Sequence, residues 1–228
     1  MELKMPIIII LVECGLEIIP KHIRNHPAVK KNRSPSIYSS QLLDNALHFS
    51  AMKDLKNKEK RGRPDISHLC LLNALGSVLN KSGNLELYIH TVNNKIFKFN
   101  PEIRIARNYN RFKGLIAKLI IDGKIEVEGK MLIAPVSENL DELIKSFNSP
   151  KIDIFSHKGK SMEYFDSLSS LDLSENYIAI VGGFQKATFT DEILKFANRI
   201  ISISQFSLDA WVVISKIINM YELSHNIN

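Results

Sequence analysis

The chain has 228 residues, a length that suits one domain with a substantial hydrophobic core. Its formal net charge of +6 favours a polyanionic partner, either a nucleic acid or an acidic surface. The two cysteines, Cys14 and Cys70, lack CxxC spacing, which excludes a disulfide framework and predicts a reducing, cytoplasmic compartment.

The apolar stretches argue against a membrane span or a signal peptide. The run of residues 7–12 is short, ends at Glu13 and lacks a small-residue cleavage site, so it predicts a buried strand instead. The stretch 208–223 is shorter than the roughly 20 residues that a bilayer demands, and it carries three charged residues. We therefore predict no membrane association.

The first half of the chain alternates strand-like and helix-like segments. Residues 6–12 form a β-branched run, which is typical of a strand covered on both faces. Residues 23–40 are rich in Lys, Asn, Ser and Pro and predict a loop. Apolar residues at helical spacing predict a helix over 41–55, and the charged segment 53–63 predicts an exposed connection.

The pattern continues to the end of the chain. We predict a helix capped by Asp65 or Ser67 and running to about residue 79, a hairpin of residues 85–92 and 96–99, and a helix over 108–121. Further strands are predicted at 131–136, 177–181 and 200–203, and further helices at 140–147 and 208–223. This alternation predicts an α/β fold with a largely parallel sheet.

Three arginines lie at a spacing that suits phosphate binding. Arg104, Arg107 and Arg111 share one face if the segment is helical. Guanidinium groups on one face suit phosphates, and Tyr109 and Phe112 lie beside them for stacking on bases. A solvated basic face with its aromatic side chains in the core explains the spacing equally well.

Arg63 and Asp65 flank a proline, which biases Arg63 to an extended conformation and holds the two side chains in a defined relation. Beside a basic surface, such a pair can orient a nucleobase and accept its proton. From the spacing alone, a capping and charge arrangement at a helix start is the more common outcome.

Two segments near the C-terminus suit a small ligand. Gly182 and Gly183 follow a strand, at the edge where open α/β sheets bind ligands, although a Gly-Gly pair is more often a simple turn. Residues 203–208 precede the last helix, where backbone amides and the hydroxyls of Ser204 and Ser207 can hold a polar molecule. An N-cap by Ser207 is the simpler explanation of that segment.

Other reactive residues predict no site. His22 and His26 have no third ligand, so we predict no metal centre. His68 and Cys70 lie on an apolar helix and are predicted to be buried, and Trp211 is predicted to lie in the core or an interface.

Together these segments resemble the Nep (also called Emg) family of ribosome-biogenesis pseudouridine N1-methyltransferases. The blocks that carry the resemblance are RPDISHLCLL from Arg63, LYIHT from Leu87, NPEIRIAR from Asn100 and RFKGL from Arg111. Upstream, Leu43-Asp44 and the segment HFSAM are similar to the archaeal-type members.

The resemblance implies a SPOUT-type, trefoil-knotted α/β fold in a single domain, 1–228, with an insertion of the basic loop and hairpin at about 53–107. It implies a homodimer that binds S-adenosylmethionine in the knot. The implied activity is methylation of N1 of a pseudouridine in a hairpin loop of small-subunit ribosomal RNA.

The resemblance also implies residue roles. Arg63 and Asp65 would line the RNA site with Arg104, Arg107 and Arg111, and Asp65 would orient the base or take its N1 proton while Arg63 positions it. The cofactor would contact Gly182, Gly183, Ala187, Ile203, Ser204, Gln205, Phe206, Ser207 and Leu208. Many members have glycine where Ala187 stands and proline where Ser207 stands, and residues 156–172 match poorly.

Two other functions use the same residues. A ribosome-assembly protein that binds rRNA without chemistry would need the same basic side chains but no cofactor. A knotted methyltransferase of transfer RNA is opposed only by the resemblance.

Overall fold

Strand β1 (Ile7–Cys14) lies at the centre of the sheet, and all eight of its residues are buried. The odd-numbered side chains from Ile7 to Leu11 belong to one hydrophobic cluster, and the even-numbered side chains from Ile8 to Val12 belong to another. The predicted strand with two covered faces is therefore confirmed. This computed structural model describes residues 6–162, Leu168 and residues 176–227.

The described strands form one sheet. After β1 they are β2 (Leu85–Thr91), β3 (Ile96–Phe99), β4 (Ile125–Val127), β5 (Lys130–Pro135), β6 (Lys151–Ser161), β7 (Tyr177–Gly182) and β8 (Arg199–Ser202). Their order is β4-β5-β3-β2-β1-β7-β6-β8. The neighbouring strands β2, β1, β7, β6 and β8 pair in parallel. The neighbouring strands β4, β5, β3 and β2 pair antiparallel. The prediction of an α/β fold with a largely parallel sheet is confirmed.

Helices cover both faces of this sheet. The described α-helices are α1 (Pro27–Lys30), α2 (Asn45–His48), α3 (Pro64–Gly76), α4 (Val78–Lys81), α5 (Tyr109–Asp122), α6 (Leu140–Lys145), α7 (Asp191–Leu194) and α8 (Ala210–Ser224). Helices α3, α5 and α8 pack on the first cluster, and α6 and α7 pack on the second. None of the helices in the described part of the chain has both the length and the apolar character needed to cross a bilayer.

The helix predicted over 41–55 is wrong. Residues 42 and 43 are extended, because Leu42 bridges Ile18 and the Leu43 amide donates to the Glu17 carbonyl. The Asp44 carboxylate then accepts a hydrogen bond from the Ala46 amide and begins the short helix α2. A capping side chain in the middle of an apolar pattern therefore ends an extended segment and begins a short helix.

The predicted start of α3 is also wrong. Neither Asp65 nor Ser67 caps it, because the helix begins at Pro64 with Arg63 at the N-cap position and no side-chain cap hydrogen bond. Proline suits the first helical position, where its missing N–H would have no partner. Ser77 ends α3 and caps the next turn, α4, which divides the predicted helix in two.

The hairpin β2–β3 and helix α5 are confirmed. Asn94 adopts the left-handed conformation that a tight turn demands. Asn108 caps α5, and Gly123 ends it with a φ of 83°.

Strands β4 and β6 were missed. The second half of β6 is rich in charged and polar residues, and the register of its pairing with β8 shifts after Phe155. This half lacks the apolar pattern by which a buried strand is recognised. Part of the segment 156–172, to which we assign no function, lies outside the described residues.

Candidate functional site

A cleft of about 1310 Å³ opens at the carboxyl ends of β6, β7 and β8. Parallel α/β sheets bind ligands at this edge, because loops from several strands converge there. Of the nine predicted cofactor residues, the following line the cleft: Gly182, Ala187, Ile203, Ser204, Phe206, Ser207 and Leu208. The structure thus brings together two segments that are about twenty residues apart in the chain.

Gly182 and Gly183 occupy different environments. A Cβ at Gly182 would lie 2.7 Å from the ring of Phe184, so the backbone and this ring approach each other closely beside the cleft. A Cβ at Gly183 would lie 2.3 Å from the Cys14 sulfur, and the Gly183 amide donates to the Val12 carbonyl at 2.8 Å. Gly183 therefore joins the end of β7 to β1, and its predicted contact with a cofactor stays a prediction.

The loop of residues 203–208 forms the second wall of the cleft. The Ser202 hydroxyl donates to the Ser204 carbonyl at 2.7 Å, and the Ser204 hydroxyl accepts from the Phe206 amide at 3.0 Å. Helix α8 begins after Asp209, so the interpretation of Ser207 as its N-cap is wrong. The Phe206 ring is exposed beside the cleft.

A buried ion pair that the sequence did not predict lies at the wall of the cleft. Lys60 lines the cleft, and its Nζ lies 2.7 Å from Glu13 Oε1 and 5.0 Å from the centre of the Phe184 ring. Glu13 has a left-handed backbone and a buried side chain at the end of β1. The two residues are 47 positions apart, so no local pattern could have indicated the pair.

Arg63 and Asp65 form a two-pronged ion pair. Arg63 Nε donates to Asp65 Oδ1 at 2.9 Å, and Arg63 Nη2 donates to Oδ2 at 2.6 Å. The hydrogen bonds to Asp65 raise the pKa of the Arg63 guanidinium. The Arg63 Nη1 donates to the side-chain carbonyl of Gln185, which lines the cleft, so the pair is joined directly to the cleft wall.

A buried polar group lies next to this pair. Asp44 Oδ2 accepts from Lys113 Nζ at 2.9 Å and from the Tyr109 hydroxyl at 3.2 Å. Burial, followed by the negative charges of Asp44 and Asp65, raises the pKa of Tyr109 far above its usual value of 10. Tyr109 therefore stays protonated and donates to Asp44, and its half-buried ring is held in place by that bond.

The three arginines are exposed but do not lie on one helix. Arg104 and Arg107 precede α5, and only Arg111 is within it, so the helical condition for one shared face is not met. Ile103 and Ile105 are buried on either side of Arg104, which is the alternation of an extended chain. Within the described residues, no carboxylate pairs with any of the three arginines.

The aromatic neighbours of the arginines do not face solvent together. Phe112 is fully buried and stacks on His68 with 4.3 Å between the ring centres, so the interpretation that it is a core residue is confirmed. His68 Nε2 also lies 2.7 Å from the Ala106 carbonyl, which holds the segment 104–107 against α3. His68 and Cys70 are buried as predicted, and Trp211 packs at the edge of the first cluster.

Among the described residues, no group of three or more His, Cys, Asp or Glu side chains has the arrangement of a metal site.

Comparisons with known proteins give the family. The family model described as EMG1/NEP1 methyltransferase matches residues 9–222. The ribosomal RNA small subunit methyltransferase Nep1 of Staphylothermus marinus is 41% identical over 230 residues, with all of both chains covered. Nep1 of Saccharolobus solfataricus is 39% identical, with 92% of this chain and 93% of the relative covered.

A solved structure gives the same result. The crystal structure of Archaeoglobus fulgidus Nep1 bound to S-adenosylhomocysteine is 32% identical, has a TM-score of 0.83, and matches 97% of this chain and 100% of that chain. This agreement over 97% of the chain confirms the predicted fold class. The chain therefore belongs to the EMG1/NEP1 methyltransferase family, as its sequence predicts.

Proposed function

We propose that this protein transfers the methyl group of S-adenosylmethionine to N1 of a pseudouridine in small-subunit ribosomal RNA. The observation that carries the proposal is the hydrogen bond between Arg63 and Gln185, because it joins the Arg63–Asp65 pair to the wall of the cleft. Curated relatives are named ribosomal RNA small subunit methyltransferases, and the Archaeoglobus fulgidus protein was crystallised with S-adenosylhomocysteine.

The residues around the cleft fit S-adenosylmethionine. The missing side chain at Gly182 leaves room for a ligand to approach the backbone, where a Cβ would already meet Phe184. Ala187 and residues 203–208 would complete the binding site, with Phe206 offering an apolar surface. Gly183 would act indirectly, by fixing the turn against β1.

Pseudouridine suits this chemistry because its glycosidic bond joins two carbon atoms and leaves a proton on N1. S-adenosylmethionine, held by Gly182 and the loop 203–208, would supply an electrophilic methyl group. N1 would form a bond to that methyl as the sulfur–methyl bond breaks, releasing S-adenosylhomocysteine, and the N1 proton would pass to a base. The protein contributes chiefly by holding the base at attack distance. The base must leave its stack or be presented in a hairpin loop to reach the cleft.

Asp65 is our candidate for the residue that orients the base or accepts the N1 proton. Its side chain is 40% exposed, so a base can approach a carboxylate whose two oxygens are already held by Arg63. Each oxygen keeps a further acceptor position, which can take a hydrogen bond from N1–H.

The arginines would hold the RNA backbone. Arg104, Arg107 and Arg111 are exposed, and His68 holds the segment 104–107 against the helix that begins beside Arg63. Guanidinium groups that pair with no carboxylate of the described residues suit phosphates on either side of a base that enters the cleft.

We also propose that the protein is a cytoplasmic homodimer. We propose further that residues 1–228 form a single domain in which about 53–107 is an insertion. Trp211, Val212 and Val213 on α8 are half-buried, and an apolar helix surface of this kind suits an interface between copies. Light scattering in solution tests the dimer, and a monomer at micromolar concentration would contradict it.

The decisive assay is transfer of labelled methyl to matched hairpin RNAs that carry either uridine or pseudouridine at one position. We expect transfer only to the pseudouridine hairpin. Equal labelling of both RNAs would contradict N1 specificity. A protein that only binds rRNA would label neither RNA and would not bind S-adenosylhomocysteine.

A further inference from the structure

A second cavity of about 220 Å³ lies beside Arg63 and shares Glu59, Gln185 and Lys186 with the large cleft. It is smaller than the roughly 300–1,000 Å³ typical of drug-sized ligands, so it suits one flat ring system. Residues 203–208 do not line it. The cavity is therefore separate from the cofactor loop, and Arg63, which lines it, lies between the cavity and the proposed position of the target base.

The apolar wall of the cavity is an exposed aromatic ring. Phe49 is 69% exposed, although it lies one turn before the buried Met52, which also lines the cavity. Most of the Phe49 ring is therefore accessible to a ligand. A flat ring at the mouth of a cavity suits stacking with a nucleobase, which also has an apolar face.

The rim of the cavity is cationic. Lys53, Lys58 and Lys186 are exposed, and no carboxylate pairs with any of them in the part of the chain that the structure describes. Arg61 also lines the cavity, but its charge is matched by a two-pronged bond to Glu17. Three lysines without carboxylate partners around one ring suit the phosphates that flank a nucleobase.

Amide groups complete the lining. The Asn45 side chain makes no hydrogen bond among the described residues, and Gln185 uses its carbonyl oxygen to accept from Arg63. Each amide can both donate and accept, which matches the mixed donors and acceptors on the edge of a base.

We propose that this cavity binds the unstacked base of a nucleotide adjacent to the methylated pseudouridine, with Phe49 stacking on it. The proposal rests on the proposed function, because it takes the RNA substrate as given. Since Gln185 and Lys186 line both cavities, an RNA strand passing over them places consecutive nucleotides in the two sites. This second base would help to hold the target base out of its stack.

The test combines a protein variant with a change in the RNA. Phe49→Ala removes the ring, and Phe49→Leu keeps an apolar side chain without a stacking face. The RNA is the pseudouridine hairpin that accepts methyl, with an abasic nucleotide placed in turn on each side of the target. Leu47→Ala is the matched control, because Leu47 is an exposed apolar residue nearby that does not line the cavity.

We expect Phe49→Ala to weaken RNA binding by about tenfold, within the range measured for base–aromatic stacking, and Phe49→Leu to weaken it almost as much. One of the two abasic RNAs should bind wild-type protein about tenfold more weakly than the intact hairpin does. The Phe49→Ala protein should bind that abasic RNA and the intact hairpin with equal affinity. Leu47→Ala should bind like wild type. Affinity for S-adenosylhomocysteine should stay unchanged in all variants, which shows that they are folded.

Two results would overturn the proposal. One is wild-type RNA affinity in both Phe49 variants. The other is a full additional loss of affinity when the abasic RNA is combined with Phe49→Ala, because independent effects mean that the base and the ring do not meet. If wild-type protein methylates the hairpin while Phe49 has no effect, only this inference fails. If wild-type protein transfers no methyl to the hairpin, the proposed function fails, and this inference fails with it.

Discussion

At the scale of single residues, the environment of a side chain decides which of its chemical roles remains. The spacing favoured helix capping by Asp65 over base recognition, and the structure shows a carboxylate that makes no cap and is held by Arg63. Phe112 was a candidate for stacking on bases, and it is buried under His68. The Tyr109 hydroxyl stays protonated and donates a hydrogen bond to Asp44. Residue type alone therefore did not identify which aromatic and acidic groups are accessible.

The role of Asp65 can be separated from that of a structural ion pair. Asp65→Asn keeps the shape of the side chain and removes its charge, so Arg63 loses its anionic partner. If the carboxylate orients the base or takes its proton, turnover should fall by roughly 10²- to 10⁴-fold while RNA affinity changes little. Single-turnover methyl transfer and RNA binding measure the two quantities. Loss of folding or of RNA binding would instead make Asp65 structural.

Gly182 offers a test of the cofactor cleft with a matched control. Gly182→Ala adds a Cβ that would lie 2.7 Å from the Phe184 ring, so it should distort the cleft wall and weaken binding of S-adenosylhomocysteine. A Cβ at Gly76 meets nothing within 4 Å, so Gly76→Ala should leave that affinity unchanged. Isothermal titration calorimetry compares the two variants. Equal affinity in both would place the cofactor away from Gly182.

At the scale of elements, short-range patterns were reliable where an element is stabilised by its own residues. Helix α5 was predicted almost to the residue because Asn108 caps it and Gly123 ends it. The sequence left open whether the segment 104–107 is helical. It is extended, because Ile103 and Ile105 are buried in the first hydrophobic cluster. The arginines keep their exposure in either conformation, so the RNA-binding prediction does not depend on the helix.

The arginine segment should report phosphate binding through salt dependence. Replacing Arg104, Arg107 or Arg111 by Ala should lower the slope of log affinity against log salt by about 1 for each arginine that binds a phosphate. Lys118→Ala is the control, because Lys118 on the same helix already pairs with Asp122. Slopes that are unchanged in all three arginine variants would remove the phosphate hypothesis.

At the scale of the whole molecule, one sheet brings remote segments to a common edge. Gln185 lies 122 positions from its partner Arg63, and the cleft walls come from the turns after β7 and β8. Two histidines buried within this architecture are expected to respond to acid. Burial lowers the pKa of His48 and of His90 from the ordinary value of 6.5, in both cases as the largest effect.

These histidines predict lower stability in mild acid. Because their folded pKa values lie below those of the unfolded chain, the unfolded state binds more protons as the pH falls through about 6.5, and the free energy of unfolding decreases there. Urea denaturation at pH 7.5 and pH 5.5 measures the difference, which should shrink in His48→Gln. The control variant is His22→Gln, which removes an exposed imidazole elsewhere in the chain. Equal stability at both pH values would contradict the prediction.

The sequence by itself determined the central strand, the hairpin, helix α5, the family and the two segments that line the cleft, because each of these rests on local spacing or on motifs that can be compared directly. Only the tertiary structure decided that Asp44 interrupts a helical pattern, that Lys60 reaches Glu13, and that Arg63 reaches Gln185. The physical reason is that Asp44, Lys60 and Arg63 each pair with a residue far away in the chain, namely Lys113, Glu13 and Gln185. Such a pairing exists only after the sheet has assembled and has brought the two distant segments together.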